Sequence, residues 1–321
     1  MKKFTLLKGI LAVIGLQLLL IGCRAEVKDV SVPPEGYSSD ATLKIAYAAG
    51  AIEKTVTDVP VPESVVEHKN LIYKKADSID LKLDIYHSKN IKGNTPLIVF
   101  IHGGAWEKGS KNNLLHYLIP YAEMGYVTAT VQYRLSKTDK WPAQLNDVES
   151  AITWLRNNAE KYHINNKSIA LAGGSAGAHL AMMAAYSNTA TSSGNTTPFN
   201  VQAVVNIYGP TDLTTEVAIN EGRVQRLIGK MYNEAPEVYK DASPLFYVTK
   251  NAPPTISFHG TIDDLVPYEQ SVRLHKKLQE VGVPSYHHEL KGWPHAMDLS
   301  AKVFAYIRYH SDIFFKKHLP L

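Results

Sequence analysis

Ser175 stands in the run Gly173-Gly174-Ser175-Ala176-Gly177, between the apolar segment Ile169-Ala170-Leu171-Ala172 and an Ala/Met/Leu-rich stretch that follows at once. Strand, sharp turn and helix in that order hold a nucleophilic serine. The turn strains the backbone, which is tolerable only where the neighbours lack bulk, and Gly173 and Gly177 meet that condition. Ser175 would then sit at a helix N-terminus, where N–H groups such as that of Ala176 face developing negative charge. The pattern alone is a weak signal in a chain with 20 glycines, for a Gly/Ser-rich loop would also produce it. Its partners must decide.

Three other stretches could supply them. His102-Gly103-Gly104-Ala105-Trp106 ends an apolar run, and two successive glycines let backbone N–H groups approach a substrate oxygen, as an oxyanion hole requires. Phe258-His259-Gly260-Thr261-Ile262-Asp263-Asp264 places an acid one short loop beyond a strand, at the rim where the serine must stand. Asp263 is the choice, with Asp264 the near alternative, free instead to cap the next helix, and Asp212 ranked below both. Gly292-Trp293-Pro294-His295 carries a histidine in a Gly/Pro loop, completing the chain order Ser, Asp, His. His287 and Glu289 share one side of a strand, but two ligands do not make a zinc site, and neither a metal nor another cofactor is expected.

These stretches need a scaffold. Leu71–Lys75 and Ile79–Tyr86, on either side of a polar turn, read as an antiparallel hairpin. Residues 96–101, 127–131, 168–172, 203–207 and 255–258 are continuous apolar or β-branched runs, as in strands covered on both faces. Helical spacing over 141–162, 175–187, 268–281 and 301–317 separates or follows them, giving an α/β fold with a mostly parallel sheet and helices on both faces. Residues 210–253 show no strand, carry a helix near Arg223–Met231, and are long enough for a small lid.

Taken together these motifs resemble the α/β-hydrolase esterases, the closest likeness being to the hormone-sensitive-lipase-like and acetyl-xylan or feruloyl esterase branch, over about residues 70–317. Tyr133-Arg134-Leu135 and Pro142-Ala143-Gln144 with Asp147 are similar to signatures of that branch, in which the arginine and aspartate brace loops near the site. Ala105 replaces a third glycine that many members carry; in the family the first two provide the donors. The resemblance implies a serine carboxylic-ester hydrolase working through an acyl-enzyme. Ser175 would be the nucleophile, His295 the base, Asp263 its orienting acid, and the N–H groups of Gly103, Gly104 and Ala176 the oxyanion hole. Trp106 and Tyr208, each just past a strand end, would wall the acyl or alcohol pocket. The expected substrates are small or carbohydrate-linked acyl esters, including acetyl and feruloyl esters. An amide, formamide or peptide hydrolase with the same triad, or a binding lipoprotein on a hydrolase fold, is the alternative.

The 321 residues, 45% apolar and 20% charged, suit one sizeable core. Removing Lys2, Lys3 and Lys8 leaves +1 of the formal +4 charge, no basis for a nucleic-acid partner. Those lysines precede an apolar run, Gly9 to Gly22, too short to span a bilayer and suited to a secretory signal. Leu20-Ile21-Gly22-Cys23 resembles the lipobox of bacterial lipoproteins, which implies cleavage after residue 22 and a lipidated Cys23. The expected organisation is a signal peptide at 1–22, a tether and N-terminal arm at 23–66 and a catalytic domain at 67–321. The expected place is the bacterial cell envelope, lipid-anchored and extracytoplasmic. The single cysteine leaves no intrachain disulfide.

Overall fold

The computed structural model describes residues 29–77, 79–190 and 200–321; Cys23 and the apolar run before it lie outside these. The strands are β1 (Val65–Ala76), β2 (Ile79–Ser88), β3 (Thr95–Ile101), β4 (Val127–Val131), β5 (Ile164–Gly174), β6 (Val201–Ile207), β7 (Thr255–Gly260) and β8 (Ser285–Leu290). They form one sheet in the order β1-β2-β4-β3-β5-β6-β7-β8. β1 pairs with β2, and β2 with β4, antiparallel, and every other pairing is parallel. This is the α/β-hydrolase architecture that the alternating elements imply.

The period of two divides each central strand between two cores. Leu97, Val99 and Ile101 of β3 join one apolar cluster, while Ile98 and Phe100 join the other. β5 divides likewise, Ile169 and Leu171 against Ala170 and Ala172. The helices are α1 (Asp40–Ala48), α2 (Leu115–Met124), α3 (Ala143–Asn157), α4 (Ala176–Ala190), α5 (Glu216–Asn220), α6 (Gly222–Ile228), α7 (Pro236–Asp241), α8 (Glu269–Glu280) and α9 (Ala301–His318). Buried residues of α3, α4 and α8 lie in the first cluster and those of α2 and α9 in the second, so both faces are covered.

Three features depart from the sequence pattern. α2 has no counterpart among the expected helices, because Pro120 sits inside it and reads as a breaker. A parallel β3–β4 pair nonetheless needs such a crossover. The alternation in β2 suggests a wet polar face, yet Asp84 is fully buried and paired with Lys111 Nζ at 2.5 Å. The helix near Arg223–Met231 is shorter than expected, stopping at Ile228, where Gly229 turns out at φ 81°.

The chain runs from β3 outward to β4, then crosses back over β3 to β5 and on to β8. The winding therefore reverses between β3 and β5, and the crevice beyond the carboxyl ends of two such strands is where open α/β sheets bind ligands.

Candidate active site

Both strands that flank the reversal end in the singled-out residues. β5 runs into Ser175, which turns at φ 54° and is held by its N–H donating to the Ile207 carbonyl at 2.9 Å. The two glycines are required for different reasons. A Cβ on Gly173 would lie 2.5 Å from the Gly177 carbonyl carbon, within the turn itself. One on Gly177 would lie 2.0 Å from the Ile101 carbonyl oxygen, at the end of β3. The second glycine thus lets the helix start pack onto the strand that leads to His102-Gly103-Gly104.

Gly103 adjoins the turn closely: a Cβ there would meet the Gly174 carbonyl oxygen at 2.7 Å and the Ser175 Cβ at 3.5 Å. Gly104 adopts φ 117°, and its carbonyl accepts from Glu107 and Lys108, curling residues 104–108 into a compact loop. Among the described residues no backbone carbonyl accepts from the N–H of Gly103 or Gly104. Ala176, first in α4, has an N–H without an intrahelical acceptor by helix geometry. These groups are available to an oxygen beside Ser175. His102 lies beneath them, neutral, since burial pushes its imidazole down to about 4. Its Nδ1–H donates to the Gly103 carbonyl at 2.8 Å, and its ring stacks on Tyr133.

His295 arrives from the loop after β8. The Ser175 hydroxyl donates to its Nε2 at 3.0 Å, and its Nδ1–H donates to Asp263 Oδ2 at 2.7 Å. Three residues from distant parts of the chain therefore form one hydrogen-bonded line. Asp263 Oδ1 accepts from the N–H groups of Leu265 and Val266 at 3.0 and 2.8 Å. Burial raises the Asp263 carboxyl, but the bonds from His259 and His295 and the Val266 N–H outweigh it and hold the group at about 2. Asp264, the alternative acid, points outward and is exposed. Asp212 is paired with Arg273 Nη2 at 2.6 Å and accepts from Thr214, a loop-bracing role.

Two histidines that sequence reasoning passed over support this line. His259 donates from Nε2 to the Val266 carbonyl at 2.8 Å, with Asp263 Oδ2 at 3.3 Å, and accepts from Ser271 Oγ at 2.6 Å. His179, four residues after the serine, donates to the Ala242 carbonyl at 2.7 Å and accepts from Trp106 Nε1 at 3.2 Å. It thereby ties the glycine loop to the segment between β6 and β7. Its place one helical turn beyond Ser175 was the available signal.

A largely apolar pocket opens beside Ser175, with about 470 Å³ of space including its mouth. Ala105 and Trp106 form one wall, Val217, Ala218 and Val224 of α5 and α6 another, and Leu265 closes it. Trp106 thus lines the cavity beside Ser175. Tyr208 does not line this pocket. Its ring lies 4.6 Å from the His295 imidazole, and its buried hydroxyl donates to Asp298 Oδ1, which turns it away from the cavity. Arg134 grips the buried Asp147 through Nε at 2.8 Å and Nη2 at 2.9 Å, with Lys74 Nζ at 2.7 Å on the same carboxylate.

Residues 83–278 match the BD-FAE family. The chain is 30% identical over 291 residues to the esterase LipC of Mycobacterium tuberculosis, covering 86% of this chain and 71% of that one. It spans about half the length of two further curated mycobacterial relatives. Among solved structures, a truncated carbohydrate esterase from gut microbiota superposes with a TM-score of 0.70 at 28% identity, over 81% of this chain and 99% of its own. Esterase Est2 of the planctomycete Thermogutta terrifontis, solved with propionate bound, gives 0.68 at 26% identity, over 81% and 97%.

Proposed function

The chain belongs to the BD-FAE family and has the fold of its esterase relatives, and from that premise we propose that it hydrolyses carboxylic esters through an acyl-enzyme formed on Ser175. The observation that carries the reading is the line Ser175 Oγ, His295 Nε2, His295 Nδ1, Asp263 Oδ2, at 3.0 and 2.7 Å. Ser175 Oγ attacks the ester carbonyl while His295 Nε2 takes its proton. The tetrahedral oxyanion is received by the N–H groups of Gly103, Gly104 and Ala176. As the C–O bond breaks, Nε2 returns the proton to the leaving alcohol. Water then repeats the sequence, freeing the acid and the serine. Asp263, ionised at any pH above about 2, orients the imidazole and balances its charge.

The pocket beside Ser175 suits a small or flat apolar acyl group, and a relative with propionate bound supports the small end of that range. A carbohydrate-linked alcohol is supported by the gut carbohydrate esterase. The reading is tested with p-nitrophenyl acetate: a burst of nitrophenol from the wild type, absent in Ser175→Ala, is expected. Equal turnover by Ser175→Ala would overturn it. An ester panel of acetylated sugars, feruloyl esters and aliphatic chains then fixes the acyl group.

The basic start, apolar run and Leu20-Ile21-Gly22-Cys23 support anchoring in a bacterial envelope through a lipidated Cys23. Labelled palmitate should enter the wild type and not Cys23→Ala; equal labelling of both would refute the anchor.

A further inference from the structure

The segment that precedes the sheet meets the structure at one place above all, the loop that carries His295. Near residue 292 the Tyr37 N–H donates to the Gly292 carbonyl at 2.9 Å, and Trp293 Nε1 donates to the Pro34 carbonyl at 2.9 Å. The Tyr37 ring stands edge-on to Trp293, and Lys302 Nζ donates to the Glu35 carbonyl at 2.9 Å. The backbones cross so closely that a Cβ on Gly36 would lie 2.3 Å from the Lys291 carbonyl oxygen. A Cβ on Gly292 would lie as close, at 2.3 Å, to the Tyr37 carbonyl oxygen.

At the other end, Thr55 donates from its N–H to the Leu299 carbonyl at 2.8 Å and from Oγ1 to the Asp298 carbonyl at 2.7 Å. Lys54 bridges Ser300, and the Ala301 N–H donates to the Glu53 carbonyl at 2.9 Å. Between these attachments Asp298 accepts from two buried tyrosines, Tyr117 at 2.9 Å and Tyr208, whose ring rests against the imidazole. Both the clamp and the clamped loop lie outside the matched residues 83–278.

We propose that the N-terminal arm is a working part of the active site: residues 34–37 and 53–55 clamp the two ends of the loop bearing His295 and so fix the reach of its imidazole to Ser175. The proposal rests on the esterase reading given above. Its residues are positioning residues, because none of them touches Ser175, His295 or Asp263. The physical reason is that a Gly/Pro loop released at both ends regains backbone freedom, and each residue that must be re-ordered opposes the 3.0 Å contact. Misplacement by an ångström costs about 100-fold in rate.

The test uses the full chain and three variants. Gly36→Val sets a branched side chain against backbone that cannot yield, Thr55→Val replaces the hydroxyl with a methyl group, and Thr55→Ser keeps the hydroxyl. With p-nitrophenyl acetate, both valine variants should lose about 10- to 100-fold in kcat per folded molecule with little change in KM, and Thr55→Ser should recover. The low-field proton resonance between His295 and Asp263 should broaden in step. Wild-type kcat and an unchanged resonance in both folded valine variants would overturn the proposal, as would a loss that vanishes after correction for the folded fraction. Should both variants fail to fold, hydrogen exchange in the wild type decides. Amide protection of residues 292–300 matching that of α9 supports the clamp, and exchange at open-loop rates overturns it. Failure of the esterase reading itself is distinguishable, because it shows as undiminished turnover in Ser175→Ala.

Discussion

Four contacts converge on the Asp263 carboxylate: two backbone N–H groups occupy one oxygen and two imidazoles the other. That crowding keeps it ionised and fixes which nitrogen of His295 carries the proton. Asp263→Asn puts an amide at the same place and favours the wrong tautomer, so kcat should fall about 10⁴-fold with KM little changed. Steady-state kinetics measure this, and a loss under ten-fold would contradict the assigned role. Ser175 and its glycines were legible in the sequence because a strained turn is a local requirement that adjacent residues must meet. His259 was not, since a histidine within an apolar strand looks like packing until Ser271 and Asp263 are brought to it from elsewhere. The bond from Tyr208 to Asp298 was hidden for the same reason: the tyrosine's position past a strand end is visible in the sequence, but its partner is not.

Elements meet at the carboxyl ends of the paired strands β3 and β5, and Gly177 is where the start of α4 packs onto the end of β3. Gly177→Ala should cost about 1–3 kcal/mol in stability, because the new Cβ overlaps backbone at Ile101 and the strand end must move. The same movement carries Gly103 away from Ser175, so kcat should fall with it. Denaturant unfolding and turnover with the wild-type values for both would refute the packing argument. The strands were readable from their apolar runs, and the hairpin from its alternation. Helix α2 was hidden by Pro120, although the parallel pairing of β3 and β4 makes a crossover unavoidable. Helix α1 starts on a local cap between Ser39 and Thr42, whereas the attachments of the arm depend on single long-range bonds, such as Thr55 to Asp298, that leave no period in the sequence.

Across the whole molecule, buried histidines couple stability to pH. Burial lowers His102 and His179 to about 4 and His275 to about 3, and neither ring nitrogen of His275 has a partner among the described residues. Each is neutral when folded and takes up a proton on unfolding below its ordinary value of 6.5. Stability is therefore complete above that pH and lost as pH falls toward 4, by on the order of 3 kcal/mol for each fully buried group. Urea unfolding at intervals between pH 7 and 4 should show this decline, and a flat profile would exclude it. His275→Leu should shallow the slope. Asp263 contributes only at much lower pH, so the acid sensitivity comes from the buried histidines and not from the carboxylate of the triad.

The central claim is that an acyl group passes through one oxygen. Acid-quenching the enzyme during turnover of p-nitrophenyl acetate and sequencing its peptides by mass spectrometry would locate that group. An acetyl ester on Ser175, absent from His295→Ala treated identically, is the predicted result. Steady turnover with the acetyl group on another residue would contradict the account.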